Sequence, residues 1–241
     1  MLSVYLDASG THRESDVVTI AGCIATDHHW ERFGREWTGV LAGAGLEPPV
    51  FHATDFERPG KPDGWSLEKK IRVRQRLISK VERRTRERFG LAVVVSAYHE
   101  AVRDGLAPNL SPLAFAVMEV VKQVGTWAVS LPSTHTIRYY FEDQSERRGD
   151  ISNGMDFIRS RPPLLERFRC AAWGWVPKET PAAQAADMLA YEVWKESLNG
   201  LPPTSGSRPM RRSLRALVHL LPRFKYFAAD TWATEKRKRK T

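Results

Sequence analysis

Short strand-like runs alternate along the chain with longer stretches that have a helical pattern. A run of β-branched and aromatic residues between turn residues is typical of a strand. Apolar residues spaced three and four positions apart are typical of a helix. Strands are predicted at 3–6, 17–25, 50–52, 91–98, 134–141 and 167–176. Helices are predicted at 29–44, 66–88, 111–127, 180–198 and 210–221.

The order of these elements predicts the fold class. Two opening strands are followed by alternating helices and strands, so we expect an α/β fold with a mixed β-sheet flanked by helices on both faces. The stretch 199–209 is rich in Gly, Pro and Ser and is typical of a linker or surface loop. We therefore expect a main domain at 1–200, a C-terminal helical extension packed on it at 201–235, and a disordered basic tail at 236–241.

Composition limits the class of protein. The chain has 241 residues, of which 42% are hydrophobic, enough for one sizeable domain. Cys23 and Cys170 lie far apart and match neither a disulfide framework nor the paired spacing of a zinc site. No stretch has the roughly 18 apolar residues needed to cross a bilayer, and the first residues lack the pattern of an export signal. We expect a cytoplasmic protein without a membrane partner.

The net charge of +9 is concentrated in two basic segments. One is the run 236–240, without which the net charge would be +4; the other is 68–88, with ten Lys and Arg against three Glu. Basic side chains that neutralise phosphates release counterions, so this pattern favours a nucleic-acid partner, DNA or RNA. A merely solvated, disordered tail explains 236–240 equally well. The residues expected to contact nucleic acid are Arg72, Arg76, Lys80, Lys178, Lys236, Arg237 and Lys238.

Three acidic positions interrupt otherwise apolar patterns. Asp7 ends the first strand, Glu142 or its neighbour Asp143 ends "TIRYYFED", and Asp187 breaks a stripe of small and aromatic residues in "PAAQAADMLAYEVW". A buried carboxylate is costly unless something binds it, and carboxylate oxygens suit Mg²⁺ or Mn²⁺. The structural alternatives stay open: a turn cap at Asp7, a solvated strand end at Glu142, and an ion pair with a buried Arg at Asp187.

Further polar residues could assist these acids. "VFHATDFERPG" places His52 three positions before Asp55, which suits a metal ligand or a general base near neutral pH. A hydrogen-bonded structural histidine is the alternative. Gln184 and Tyr191 are spaced to support Asp187 by hydrogen bonds. Two metal ions held by such a cluster can orient a water molecule and stabilise the leaving oxygen of a phosphodiester.

Three stretches together resemble a known family. "VYLDASG", "FHATDF" and "KETPAAQAADMLAYEVW" are similar to the D-E-S-G, H-A-x-[DE] and Q-x-A-D motifs of the bacterial family catalogued as domain of unknown function 3800. The resemblance covers about residues 2–197 and implies a ribonuclease H-like fold. It also implies that Asp7, Glu142 or Asp143, and Asp187 form a metal-binding cluster. By the same resemblance His52 and Asp55 lie near that cluster.

One departure from the family pattern bears on the site. Ala8 stands where the family usually has a glutamate, so the resemblance implies either a reduced site or the use of Asp55 instead. The leading hypothesis is a metal-dependent nuclease or related phosphodiesterase with Asp7, Glu142 and Asp187 as ligands of Mg²⁺ or Mn²⁺. Its rivals are a catalytically silent nucleic-acid-binding module and an interaction protein encoded with mobile genetic elements.

Overall fold

A six-stranded mixed sheet with helices on both faces organises the chain. The computed structural model describes residues 1–12, 14–131, 136–199, 223–228, 231–232 and 234. The strands are β1 (Leu2–Ser9), β2 (Val17–Thr26), β3 (Glu87–Val94), β4 (Ile137–Glu142), β5 (Cys170–Val176) and β6 (Arg223–Phe227). The helices are α1 (Asp27–Gly43), α2 (Ala53–Glu57), α3 (Leu67–Arg84), α4 (Val95–Arg103), α5 (Pro112–Ala128), α6 (Arg148–Arg159), α7 (Pro162–Arg167) and α8 (Pro181–Asn199).

Strand order places the opening strand in the interior of the sheet. The order is β5-β4-β1-β2-β3-β6. β2 runs antiparallel to β1 and β3, whereas β4 is parallel to β1, β5 is parallel to β4, and β6 is parallel to β3. Because β1 and β4 are parallel neighbours, the residues that end them lie side by side. The predicted α/β class with a mixed sheet is confirmed.

Alternation along the strands divides the core into two layers. Leu2, Val4, Leu6 and Ala8 of β1 point to the face covered by α4, α5 and α6. Side chains of the opposite parity point to the face covered by α1, α2, α3 and α8, where Trp37 is among the largest buried residues. Helices therefore cover both faces, as predicted, and Asp7 belongs to the α8 side.

Local sequence explains where the main helices begin. The Ser66 hydroxyl accepts a hydrogen bond from the Lys69 amide at 3.2 Å and caps α3. Ser111 caps α5 in the same way through Ala114, and Pro112 occupies the first helical turn. α5 is apolar nearly all round because it packs on both the sheet and α6.

Some predicted elements differ from the observed ones. Residues 50–52 form no strand; the Phe51 amide instead donates to the side-chain oxygen of Gln184 at 2.8 Å. The predicted strand 91–98 ends at Val94, and α4 begins at the next residue, Val95. Helices α2, α4, α6 and α7 and strand β6 were not predicted.

The described residues include only part of the predicted C-terminal extension. The predicted helix 210–221 and the basic tail 236–241 lie outside the described residues. β6 pairs with β3, so the residues of this strand belong to the main sheet. The domain boundaries stay predictions. No helix within the described ranges is long and apolar enough to span a bilayer, and the cytoplasmic location stays a prediction.

Candidate carboxylate site

Three carboxylates meet on the α8 side of the sheet. Leu6 of β1 is paired with Phe141 of β4, so the next residues, Asp7 and Glu142, are neighbours on one face. α8 packs across β1 and β2 and brings Asp187 to the same place. The exposed fractions are only 7% for Asp7, 8% for Glu142 and 8% for Asp187.

Each of the three acids has a raised pKa, and burial is the main cause in each case. Burial raises the pKa of Asp7 well above its usual value, and the charges of Asp187 and Glu142 add to this, while Arg147 opposes it. Burial raises the pKa of Asp187 to about 6. Burial also raises the pKa of Glu142, with a further contribution from Asp187. The cluster therefore carries an electrostatic cost in the folded protein when all three are ionised.

Two side chains from the β4–α6 connection contact the cluster. The Gln144 amide nitrogen donates to Glu142 Oε1 at 2.9 Å and lies 3.5 Å from Asp7 Oδ1. Arg147 Nη1 lies 3.7 Å from Asp7 Oδ1 and also donates to the carbonyl of Ala8. Sequence reasoning did not identify either residue, and their position just after Glu142 is the one signal that could have pointed to them.

Backbone and glutamine contacts hold the third acid in place. Asp187 Oδ2 accepts a hydrogen bond from the Ala53 amide at 2.9 Å. Gln184 does not act as predicted in direct support of Asp187: its oxygen accepts from Trp37 Nε1 and the Phe51 amide, and its nitrogen donates to the Glu179 carbonyl. It thereby anchors the segment that precedes α2.

His52, Asp55 and Lys178 border the carboxylates. His52 Nδ1 lies 2.6 Å from Thr54 Oγ1 and 3.7 Å from Asp55 Oδ2. Burial lowers the pKa of His52, and the charge of Lys178 lowers it further. The charge of Lys178 also lowers the pKa of Glu142 and Asp187, which places this cation beside the cluster. The structure thus gathers these three predicted site residues around the acids.

Position 143 lies outside the cluster. Asp143 is exposed and makes a two-pronged ion pair with Arg148, with Nε to Oδ1 at 2.7 Å and Nη2 to Oδ2 at 2.5 Å. Its hydrogen bonds with Arg148 lower the pKa of Asp143. Of the two alternatives at the end of β4, the geometry therefore favours Glu142.

Position 8 faces away from the acids. Ala8 is buried on the α5 side of the sheet, opposite Asp7. A glutamate at this position would start from the wrong face of β1 to join the cluster. The departure from the family pattern therefore removes no side chain from the α8 side in this fold.

The acids suit a divalent cation in their chemistry. Carboxylate oxygens are the ligands that Mg²⁺ and Mn²⁺ prefer. In the part of the chain that the structure describes, however, no group of three or more His, Cys, Asp or Glu side chains is arranged to hold a metal ion. The Gln144 amide and the Ala53 amide occupy oxygen lone pairs that a cation would use. Metal binding stays a prediction.

The predicted nucleic-acid contacts lie in three places, one of which is Lys178 beside the acids. Arg72, Arg76 and Lys80 line a surface groove of about 410 Å³ along α3, together with Arg83. Lys80 Nζ also lies 3.3 Å from Glu36 Oε2. The remaining predicted contacts, apart from Lys178, lie outside the described residues: Lys236, Arg237 and Lys238.

Comparisons with known proteins give a likeness to solved structures and no match in sequence. No family model matches the sequence and no curated protein matches it, so the resemblance to domain of unknown function 3800 stays a prediction. The chain is similar to the ribonuclease H2 from Pyrococcus horikoshii OT3, with 14% identity over 100% of both chains and a TM-score of 0.41. It is also similar to Bst-RNase HIII in complex with Mn²⁺, with 14% identity over 99% of this chain and 71% of that chain and a TM-score of 0.42. Both are ribonucleases H, but likeness at this level carries no conclusion about activity.

Proposed function

We propose that the chain is a metal-dependent nuclease or related phosphodiesterase that acts on nucleic acid. The observation that carries the proposal is the burial of Asp7, Glu142 and Asp187 on one face, where each has a raised pKa. Burying like charges together destabilises the fold unless protonation, a neighbouring cation or a bound ligand compensates. A divalent cation is the ligand whose charge and preference for oxygen match this set.

The proposal gives each residue a role. Asp7, Glu142 and Asp187 would hold Mg²⁺ or Mn²⁺, which when bound supplies Lewis-acid stabilisation of charge on the phosphate. His52 has a lowered pKa, so it is neutral near pH 7 and can accept a proton from the attacking water. Lys178 would bind a phosphate oxygen beside the acids.

A second candidate function is a catalytically silent nucleic-acid-binding module. The observation that favours it is the Gln144 amide, whose nitrogen contacts both Glu142 and Asp7. This amide satisfies carboxylate oxygens that a cation would otherwise bind. Such a module would bind nucleic acid with an affinity that falls with salt. Mn²⁺ would leave its melting temperature unchanged, and the nucleic acid would stay uncut.

The first test is thermal. Mn²⁺ at a hundred times its Kd stabilises a protein by about 2.7 kcal/mol, which for a chain of this size corresponds to a Tm increase of about 5–10 °C. We expect this increase in the wild type and in Asp143→Asn, because Asp143 lies outside the cluster. We expect none in Asp187→Asn. An equal increase in all three proteins, or none in the wild type, contradicts the metal site.

The second test is cleavage. Purified protein is offered labelled DNA, RNA and hybrid substrates with Mn²⁺, in parallel with Asp7→Asn, Asp187→Asn and the control Asp143→Asn. We expect the wild type and the control to cut at least one substrate, and the two cluster variants to leave all of them intact. Equal cleavage by every variant would mean a contaminating enzyme or a different site.

A further inference from the structure

An aromatic groove lies beside the carboxylates on the same face of the sheet. Its volume is about 330 Å³. Tyr5 of β1 and Tyr140 of β4 line it with stacked rings, whose centroids are 5.0 Å apart at an interplanar angle of 24°. Trp30 of α1 meets Tyr5 edge-on, also at 5.0 Å. Residues 180–182, where α8 begins, also line it.

Strand geometry sets the distance from this groove to the acids. Residues two apart on a strand point the same way and lie about 6.6 Å apart. Tyr5 is therefore one step from Asp7, and Tyr140 is one step from Glu142. This is about the separation between a phosphate and the base of the same nucleotide, so a phosphate at the acids would place a base at the tyrosines.

The charge of the groove is suited to a base and not to a phosphate. Among the described residues that line it, the charged ones are Asp27 and Glu31. Both are exposed, and Asp27 Oδ1 accepts a hydrogen bond from Ser3 at 2.7 Å. Carboxylates repel phosphate oxygens but accept hydrogen bonds from amino groups. A neutral group with N–H donors is therefore the chemistry that this groove selects.

We infer that the groove is a subsite for one unpaired nucleobase that carries an exocyclic amino group, namely adenine, cytosine or guanine. The inference rests on the proposed function, since the base would belong to the nucleotide whose phosphate meets the carboxylates. The base stacks on Tyr140, and its amino group donates to Glu31 or Asp27. Thymine and uracil have no exocyclic amino group. Their one ring N–H on this edge, N3–H, lies between two carbonyl oxygens that a carboxylate repels.

Tyr5 also brings a hydrogen-bond donor to the groove. Its phenol O–H can donate a hydrogen bond to a ring nitrogen of a base.

Two glycines of α1 provide a blocking variant and a matched control. A Cβ added at Gly34 would lie 3.8 Å from Pro181 Cγ, so Gly34→Leu extends into the groove without a clash at its first atom. A Cβ added at Gly39 meets nothing within 4 Å, so Gly39→Leu leaves the groove open. Leucine is a better helix former than glycine, so both variants should fold.

The experiment measures binding of the protein to short labelled single strands of oligo-dA, oligo-dC and oligo-dT by fluorescence anisotropy in Ca²⁺, a hard cation that carboxylate oxygens bind. The intactness of each strand is checked on a gel. We expect oligo-dA and oligo-dC to bind about tenfold more tightly than oligo-dT, which is within the range for discrimination by a base-edge hydrogen bond. Gly34→Leu should abolish this difference and Gly39→Leu should retain it. Glu31→Gln should weaken oligo-dA and oligo-dC but not oligo-dT.

The outcomes separate this inference from the proposed function. Equal wild-type affinity for the three strands, or a preference that persists in Gly34→Leu, overturns the subsite. Mn²⁺-dependent cleavage with no base preference would leave the nuclease standing and remove the subsite alone. Failure to bind any nucleic acid would overturn both.

Discussion

At the scale of single residues, the buried carboxylate of Asp187 on α8 destabilises the folded protein when it is ionised. Its carboxylate has a backbone partner in Ala53, yet burial still raises its pKa to about 6. A group whose pKa is raised in the folded state stabilises the fold below its unfolded pKa. That contribution is lost as the pH rises through the folded value.

The stability of the protein should therefore fall between pH 4 and pH 7. The rise from 3.8 to about 6 at Asp187 corresponds to about 3 kcal/mol of unfolding free energy. In urea unfolding, Asp187→Asn should show a flatter pH profile and higher stability at pH 7 than the wild type. The exposed control Asp63→Asn should retain the wild-type profile. Parallel profiles for wild type and Asp187→Asn would contradict this expectation.

The sequence predicted the acids more readily than their partners. Asp7, Glu142 and Asp187 were identified because each interrupts an apolar pattern that is visible along the chain. Gln144 and Arg147 have no such pattern, because their role depends on how the chain turns after β4. The choice between positions 142 and 143 also needed the observed end of β4.

At the scale of secondary structure, periodicity identified α1, α3, α5 and α8, but tertiary contacts decided several other elements. α6 contains Gly149, Asn153 and Gly154, which have low helix propensity, and it was not predicted. A Cβ at Gly154 would approach the Ala114 carbonyl oxygen to 2.5 Å, so the close packing of α6 on α5 requires this glycine. A single-sequence pattern does not reveal such packing.

Arg74 of α3 forms ion pairs with both α2 and α8. Its Nη1 lies 2.6 Å from Glu57 Oε1 at the end of α2 and 3.5 Å from Glu192 Oε1 on α8. Arg74→Met removes the cation that both carboxylates share in a largely buried place. We expect a loss of about 3 kcal/mol in unfolding free energy, measured in urea, with partial recovery in Arg74→Lys. The exposed Arg72→Met is the control on the same helix, and an equally small effect of both methionine variants would contradict the role of Arg74.

At the scale of the whole molecule, the positive charge of α3 should govern nonspecific binding. Arg72 and Arg76 are exposed and line the same groove, with Gln75 between them. Each phosphate contact contributes about 0.9 to the slope of log affinity against log salt concentration for duplex DNA. Arg72→Ala and Arg76→Ala should each lower this slope by about that amount in metal-free anisotropy titrations. Gln75→Ala should not change it, and unchanged slopes in both arginine variants would exclude α3 from the binding surface.

The pairing of β6 with β3 has a consequence for biosynthesis. More than a hundred residues separate the end of β3 from the start of β6 along the chain. At about 5–20 residues per second, the ribosome delivers β6 on the order of ten seconds after β3. Throughout that interval the nascent polypeptide has one row of unpaired backbone amides and carbonyls along β3, available to any neighbouring chain on the same polysome.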